Sequence, residues 1–335
     1  GIMKNFTKIL ACIVISGLVV SFSCKKQELS KDETVSFLTG INQTGMELTN
    51  TTTYHTLMDF MSKNPPIGIA KKKVTFKGHS IELPYKLQAK EVKGGIEDLY
   101  GTWEWQDTGW AHVDPNNPQS GILFRWNFID TSGIHSAELL IDSIQTQVIN
   151  TDTLPTRLHI ALFLDGSKIA EFSYTASFTS NGDYNYLKVV VSITGYGQVG
   201  FEFKNPVWRE NEFGDYELVA FTAYLWIINY TNHNYRVDLT ITKKEDDSGS
   251  ITLTDSDGWK LVVNVFAPQR VVENGIEYKK YNISGEITKD GRHAADIQGT
   301  VWEPSDNTHI STIYVIFTDG SREPLQNYIT IFRSK

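Results

Sequence analysis

Apolar and polar residues alternate with a period of two from about Val74 onward, the pattern of strands with one buried face. Short turns rich in Gly, Asn and Asp separate these stretches; Asp165-Gly166-Ser167-Lys168, for example, lies between 158–164 and 169–178. Hairpin turns between consecutive stretches predict antiparallel neighbours and not strand-helix-strand units. We therefore expect an all-β fold, a large antiparallel meander of about 14 strands that forms an open barrel or a sandwich.

One short segment departs from this alternation. Between residues 46 and 62 the apolar positions have mixed helical spacings, and Thr53 to Met61 is the best helical stretch. Asn64-Pro65-Pro66 would end such a helix, because proline cannot continue it. The pattern predicts one short N-terminal helix.

The first residues have the pattern of an export signal. Lys4 and Lys8 precede an apolar run from Ile9 to Val20, which is shorter than the about 20 residues that span a bilayer. Ser23-Cys24 follows and resembles the lipobox of bacterial lipoproteins. We expect cleavage before Cys24 and lipidation of its thiol, so that membrane lipid is a partner of the protein.

These patterns divide the chain into four parts. Residues 1–23 are the predicted lipoprotein signal peptide and 24–45 a lipidated tether, because that stretch is polar and lacks apolar periodicity. Residues 46–95 form an N-terminal helix and strand segment, and 96–335 a single antiparallel β domain.

Cysteine usage and charge exclude several classes of function. The two cysteines are Cys12, inside the signal, and Cys24, so the mature chain has no disulfide and no cysteine metal site. The formal charge is −8, and loss of Lys4 and Lys8 with the signal makes it −10. An acidic chain without a Lys/Arg stripe repels phosphate backbones, so nucleic acid is not an expected partner.

Part of the chain resembles a group of uncharacterised Bacteroidota lipoproteins. The resemblance rests on the signal and on four stretches, Leu99–Trp105, Gly121–Trp126, Leu154–Leu158 and the hairpin from Leu162 to Phe178. It implies an all-β protein anchored in the outer membrane, with no activity to carry over. Lys25 after the cysteine, in place of a retention aspartate, agrees with that membrane; the periplasmic and surface leaflets both stay open.

Gly101-Thr102-Trp103 also resembles the Gly-x-Trp of a first lipocalin strand. That resemblance implies an alternative function, a carrier of a hydrophobic molecule in a barrel cavity.

No short motif identifies a reaction. The chain lacks the serine-hydrolase, phosphate-loop and dinucleotide patterns. Its eight histidines are not spaced to share a metal, and Asp255-Ser256-Asp257-Gly258 lacks the twelfth-position glutamate of a calcium loop, where Phe266 stands. We expect no catalytic residues, no metal and no cofactor. The opposing hypothesis is a carbohydrate-active hydrolase whose pair of acids is not visible in the sequence.

Aromatic residues make up 12% of the chain, and most are expected in the core. Trp110 and Trp208 have polar neighbours and are the candidate ligand-binding residues. We therefore expect a non-catalytic binding or structural role in the cell envelope, with a glycan, an apolar ligand or another envelope protein as partner. An apolar ligand would need a concave face lined by strand residues such as Leu162, Leu164, Val189 and Val191.

Overall fold

A computed structural model describes residues 29–43, 51–76, 79–90 and 95–328. Antiparallel strands dominate it, which confirms the predicted all-β class. The chain divides into two compact units after Met46 and again after Lys204. We call the described residues 51–204 the middle unit, and residues 29–43 together with 205–328 the terminal unit.

The described elements are two helices and a long series of strands. The helices are α1 (Lys31–Gln43) and α2 (Thr52–Ser62), and single 3₁₀ turns cover Ile96–Leu99 and Leu325–Asn327. The strands up to the end of the middle unit are β1 (Ile67–Phe76), β2 (His79–Ala89), β3 (Gly101–Gln106), β4 (Gly109–Asp114), β5 (Ile122–Asp130), β6 (Gly133–Ile149), β7 (Asp152–Leu164), β8 (Ser167–Phe178), β9 (Tyr184–Ile193) and β10 (Gly197–Glu210), whose last residues belong to the terminal unit. The remaining strands are β11 (Tyr216–Asn229), β12 (Tyr235–Lys243), β13 (Gly249–Asp255), β14 (Trp259–Val265), β15 (Gln269–Glu273), β16 (Ile276–Lys289), β17 (Arg292–Glu303), β18 (Thr312–Phe317) and β19 (Arg322–Pro324).

In the middle unit, β5 to β9 form a meander in which each strand pairs antiparallel with the next. The exception to antiparallel pairing is β3, which also runs parallel to β5. Alternate residues of β5 are buried, because Ile122, Phe124, Trp126 and Phe128 all face one core. The period-two pattern of the sequence thus corresponds to one buried apolar face and one solvated face of the strand.

Helix α2 lies on this core, close to the predicted bounds. Thr51 caps it, with Oγ1 accepting from the Tyr54 amide at 3.2 Å. The Phe60 ring packs at 5.2 Å from Phe124 and 5.1 Å from Trp126. The helix ends at Ser62, before Asn64 with φ 47° and the two prolines.

In the terminal unit, β11 to β14 form a second meander. β14 and β15 both pair with β16, and β16 to β19 then continue the order of the chain. Its core consists mainly of Leu, Ile, Val and Ala side chains from β12 to β18. No pairing between β11 and β19 is among those described for the terminal unit.

The tether predicted for 24–45 is wrong over residues 29–43, because helix α1 occupies most of that range. Leu38 is fully buried in the core of the terminal unit, and the Phe37 ring stacks on Trp259 at 4.8 Å. Lys31 forms an ion pair with Glu323. Helix α1 is stable with few apolar residues because its stability comes from packing against the sheet and not from the helix itself.

The single β domain predicted for 96–335 is divided by the boundary after Lys204. The signal segment and Cys24 lie outside the described residues, so lipidation stays a prediction. Among the helices of the described ranges, neither has the length and hydropathy needed to cross a membrane.

Candidate ligand-binding cleft

The terminal unit has an open cleft of about 510 Å³ at one end of its sheet. The cleft forms where the β13–β14 turn and the β16–β17 turn lie side by side. Nine residues line it; besides Gly258 and Gly291 these are seven with longer side chains, namely Thr254, Asp255, Trp259, Lys260, Glu286, Thr288 and His293. Six of the seven are polar, so the cleft offers hydrogen-bonding groups more than apolar surface.

Strand register explains why these side chains converge. Thr254 pairs with Lys260 across β13 and β14, Lys260 with Thr288 across β14 and β16, and Thr288 with His293 across β16 and β17. Residues directly opposite one another project from the same face of a sheet. These four residues therefore form one polar row across four strands. Glu286 lies two residues before Thr288 and shares its face.

The two turns that bound the cleft are held together through Gly258. Its carbonyl accepts a hydrogen bond from the Asp290 amide at 2.8 Å, and its φ is 89°. A Cβ at this position would overlap the Asp290 carboxylate. The positive φ is the reason for glycine at this position, because L side chains rarely adopt this backbone conformation.

Asp255 anchors the β13–β14 turn from inside the cleft. Its Oδ1 accepts from the Trp259 amide at 2.8 Å and the Asp257 amide at 3.0 Å, and the Tyr235 hydroxyl donates to its Oδ2 at 2.5 Å. Burial raises the pKa of Asp255 above its usual range, although these three donors oppose the shift. Burial, together with the hydrogen bond to Asp255, also raises the pKa of Tyr235.

Trp259 is already engaged by the protein. Its indole stacks on Phe37 with an interplanar angle of 6°, and the Lys289 ammonium lies 5.4 Å from the ring centre. Lys260, Glu286 and His293 are exposed instead. The His293 Nε2 lies 3.0 Å from Asp296 Oδ1. The groups offered to a ligand are thus hydroxyl, carboxylate, ammonium and imidazole.

Of the two tryptophans singled out in the sequence, Trp110 lies in β4, not in a loop, and is half-buried. Its Nε1 donates to the Lys63 carbonyl at 3.0 Å, and its ring packs at 5.1 Å from Phe124. Trp208 is half-buried in β10. Neither residue lines the cleft. A ligand contact at Trp110 or Trp208 therefore stays a prediction without a described cavity beside it.

The four residues proposed for an apolar face do share one face of the middle sheet. Leu162 pairs with Ala170, and β9 continues this face through Val189 and Val191, opposite Tyr174 and Phe172. Leu162 is buried in the core, whereas Leu164, Val189 and Val191 are half-buried. An apolar ligand on this face stays a prediction.

The Asp255–Gly258 segment forms a turn, as its sequence predicts. Across the part of the chain that the structure describes, no group of three or more His, Cys, Asp or Glu residues is arranged to hold a metal ion.

Sequence reasoning missed Lys260, Glu286, Thr288 and His293. Each lies within three residues of a turn rich in Asp and Gly, at Asp255–Gly258 or Lys289–Gly291. The available signal was the cluster of polar residues on the flanks of both turns. No protein-family model, curated protein or solved structure matches this chain. The cleft is therefore interpreted from its own geometry.

Proposed function

We propose that this protein is a lipid-anchored binding protein of the bacterial cell envelope, and that its terminal unit binds a glycan in the cleft described above. The observation that carries this proposal is the polar row of Thr254, Lys260, Thr288 and His293 across four strands. Rigid strands position these groups, so little conformational entropy is lost when they bind hydroxyl groups.

The lining favours a glycan over an apolar ligand. Ligand cavities of about 300–1,000 Å³ usually have mostly apolar walls with a few polar groups. This cleft has the opposite balance, with Trp259 as its one aromatic lining residue and that ring stacked on Phe37. A molecule that covers it must replace water at many polar atoms, and a polyhydroxylated ligand can do so.

A second function, glycoside hydrolysis, has one observation in its favour. Asp255 and Glu286 line the same cleft, and burial raises the pKa of Asp255, as a general acid requires. However, both Asp255 oxygens accept hydrogen bonds that hold the turn. A proton delivered from Asp255 would have to displace one of these donors, so we favour binding without hydrolysis.

Binding is tested on the mature chain with Cys24→Ser, which removes the lipid and keeps the rest of the protein. A glycan array identifies ligands, and calorimetry then compares variants. Thr288→Val should weaken binding by about 0.5–1.5 kcal/mol, the value of a neutral hydrogen bond, and Glu286→Gln by about 1.5–3 kcal/mol, the value of a charged one.

Matched controls are Thr300→Val on β17 and Glu277→Gln on β16, which lie outside the cleft and should leave affinity unchanged. Equal loss in the cleft variants and the controls, or no ligand on the array, would remove the glycan proposal. Hydrolysis is tested separately: release of reducing sugar that disappears in both Asp255→Asn and Glu286→Gln would establish the second function instead.

The anchor is tested independently of the ligand. Wild-type protein expressed in a bacterial host should partition into detergent, and mass spectrometry should find acyl chains on Cys24. Cys24→Ala should partition into the aqueous phase. If Cys24→Ala stays with membranes to the same extent as wild type, the lipid anchor is not the means of attachment.

A further inference from the structure

Among the described residues, three turns with the sequence Asp-x-Ser share the same local hydrogen bonds. In each, one aspartate oxygen accepts from both the amide and the hydroxyl of the serine two residues later. The hydroxyl distance is 2.6 Å in every case, for Asp130–Ser132, Asp246–Ser248 and Asp319–Ser321. At Ser248 and Ser321 these two bonds form without a histidine, and backbone hydrogen bonds from the Lys244 amide to the Ser248 carbonyl and from the Phe317 amide to the Ser321 carbonyl close the turns.

Ser132 differs because a histidine approaches its hydroxyl. The Nε2 atom of His135 lies 2.8 Å from Ser132 Oγ. Neither of the other two Asp-x-Ser serines has such a histidine contact among the described residues. The aspartate–serine hydrogen bonds therefore form without a histidine, and the His135 imidazole is not needed for them.

The other nitrogen of His135 is held by a second hairpin. His135 Nδ1 lies 2.7 Å from Asp165 Oδ2, in the β7–β8 turn. The second oxygen of Asp165 accepts from the Ser136 amide at 2.9 Å, which fixes the carboxylate. Serine, histidine and aspartate therefore stand in sequence at hydrogen-bonding distances of about 2.6–3.2 Å, the arrangement of an activated nucleophile. All three belong to the middle unit.

We propose that Ser132 is a reactive nucleophile toward small activated esters, with His135 as its general base and Asp165 as the positioning residue that orients the imidazole. Ser132 is exposed at the end of the β5–β6 hairpin, so a small ester reaches it directly.

The step conserves atoms and charge. Ser132 Oγ forms a bond to the ester carbonyl carbon while its proton passes to His135 Nε2. The carbon–oxygen bond to the leaving group then breaks, and the imidazolium returns the proton to the departing oxygen. Water then attacks the acyl carbon while its proton passes to the same imidazole. The bond from that carbon to Ser132 Oγ breaks, the imidazolium returns the proton to Oγ, and a carboxylic acid is released.

The surroundings restrict the class of substrate. The Ser132 amide donates to Asp130 Oδ1 at 2.7 Å, so it is not directed at an oxyanion. Without that stabilisation the leaving group must be a good one, as in an aryl ester. The side chain of Asp130 also competes with His135 for the hydroxyl proton, because its Oδ1 lies 2.6 Å from Ser132 Oγ and 3.2 Å from Nε2.

The charged groups around His135 set the pH at which the base is free. The hydrogen bonds and charges of Asp165, first, and Asp130 raise the pKa of His135 above 6.5, while partial burial near Phe128 opposes the shift. The imidazole is a base only when it is neutral. The reaction should therefore speed up as the pH rises, with an inflection above 6.5.

The test uses the full chain and p-nitrophenyl acetate, with the acetylated serines mapped by mass spectrometry over time. Ser248 and Ser321 are internal controls with the same aspartate–serine hydrogen bonds and no histidine. We expect Ser132 to be acetylated at least about tenfold faster than either, since a general base contributes roughly 10²–10⁴-fold. Equal acetylation of the three serines would overturn the proposal.

Variants separate the base from the turn. Ser132→Ala should abolish the fast release of p-nitrophenol, whereas Ser248→Ala, which removes the same hydroxyl from an equivalent turn, should not change it. Asp165→Asn should slow the reaction and move the inflection to lower pH, because a charge beside the imidazole is lost. An unchanged rate in Ser132→Ala, or an unchanged inflection in Asp165→Asn, would contradict the assigned roles. Neither result bears on glycan binding in the terminal unit.

Discussion

Each unit of the protein has one N-terminal helix on its sheet, and the two helices are attached in different ways. Helix α2 inserts Phe60 among three rings of the middle unit, at 5.1–5.6 Å from Trp126, Phe124 and Trp110. Helix α1 stacks Phe37 on Trp259, buries Leu38 and adds the ion pair from Lys31. Two residues before the helix, the Leu29 carbonyl accepts a hydrogen bond from Thr318 Oγ1 at 3.3 Å.

The comparison of α1 and α2 shows that a periodic pattern detects only helices with several apolar residues. Helix α2 has apolar residues at several helical spacings, and the pattern predicts it. Helix α1 has few, and the same search assigns it to a tether. Both are nevertheless seated on a core, because burial depends on what faces the helix and not on how many apolar residues it carries.

The largest expected effect comes from breaking the attachment of α2. Phe60→Ala should lower the free energy of unfolding by about 3–5 kcal/mol, since a buried aromatic ring is lost and a cavity remains. Urea titration followed by tryptophan fluorescence measures it, because Trp110 and Trp126 contact the ring. Met58→Ala on the exposed side of the same helix is the control and should cost less than about 1 kcal/mol.

The corresponding change in α1 is Leu38→Ala. Leu38 is fully buried, and its loss should cost about 2–4 kcal/mol in the terminal unit. Hydrogen exchange of the α1 amides, read by mass spectrometry, locates the effect. Asp32→Ala, on an exposed position of that helix, is the control. Unaltered exchange in Leu38→Ala would mean that residues 31–43 act as the tether that their composition indicates.

The N-terminal caps of α1 and α2 also differ, and their removal should have a smaller effect on stability. Ser30 and Glu33 form a capping box, in which Glu33 Oε2 accepts from the Ser30 amide at 2.9 Å. Thr51 caps α2 alone. Ser30→Ala and Thr51→Ala should each cost about 1 kcal/mol. Thermal denaturation of both variants measures this, and Ser62→Ala at the end of α2 is the control. A cost confined to Thr51→Ala would show that α1 does not depend on its box.

The smallest effects are the responses to pH, which should differ in direction. The hydrogen bond and charge of Lys31 lower the pKa of Glu323 below 4.5, so the stability that this pair gives α1 is present above pH 4.5 and lost as the pH falls. The pKa of His135 is raised, so its contribution to the middle unit is present below pH 6.5 and lost as the pH rises.

Melting curves of Glu323→Gln and His135→Gln against wild type, between pH 3 and 9, measure these responses. The difference from wild type should vanish at acid pH for Glu323→Gln and at alkaline pH for His135→Gln. Differences that stay constant with pH would mean that neither pair is linked to stability.

The candidate sites show where sequence reasoning ends. Alternation along β13, β14 and β16 predicts strands, and Asp255–Gly258 predicts a turn, because both signals are local. The position of His293 opposite Thr288 depends on a register shift at Ala294 in β17, which lies unpaired between His293 and Ala295. Ser132 and Asp165 lie in separate hairpin turns, and the imidazole of His135 joins them. A single sequence does not show which residues pair across strands. The strands could therefore be predicted, but the residues opposite one another in the sheet could not.

The middle unit is continuous in sequence and the terminal unit is interrupted, and this difference determines the order in which the two units can fold. Residues 51–204 contain every strand partner needed for the β5–β9 meander, so this unit can assemble as soon as it has been synthesised. Helix α1 emerges earlier, yet its partners at Thr318 and Glu323 emerge almost 300 residues later. The first helix of the described residues therefore gains its last contact only at the end of the sheet, and a chain that stops short of β19 lacks the Glu323 partner of Lys31.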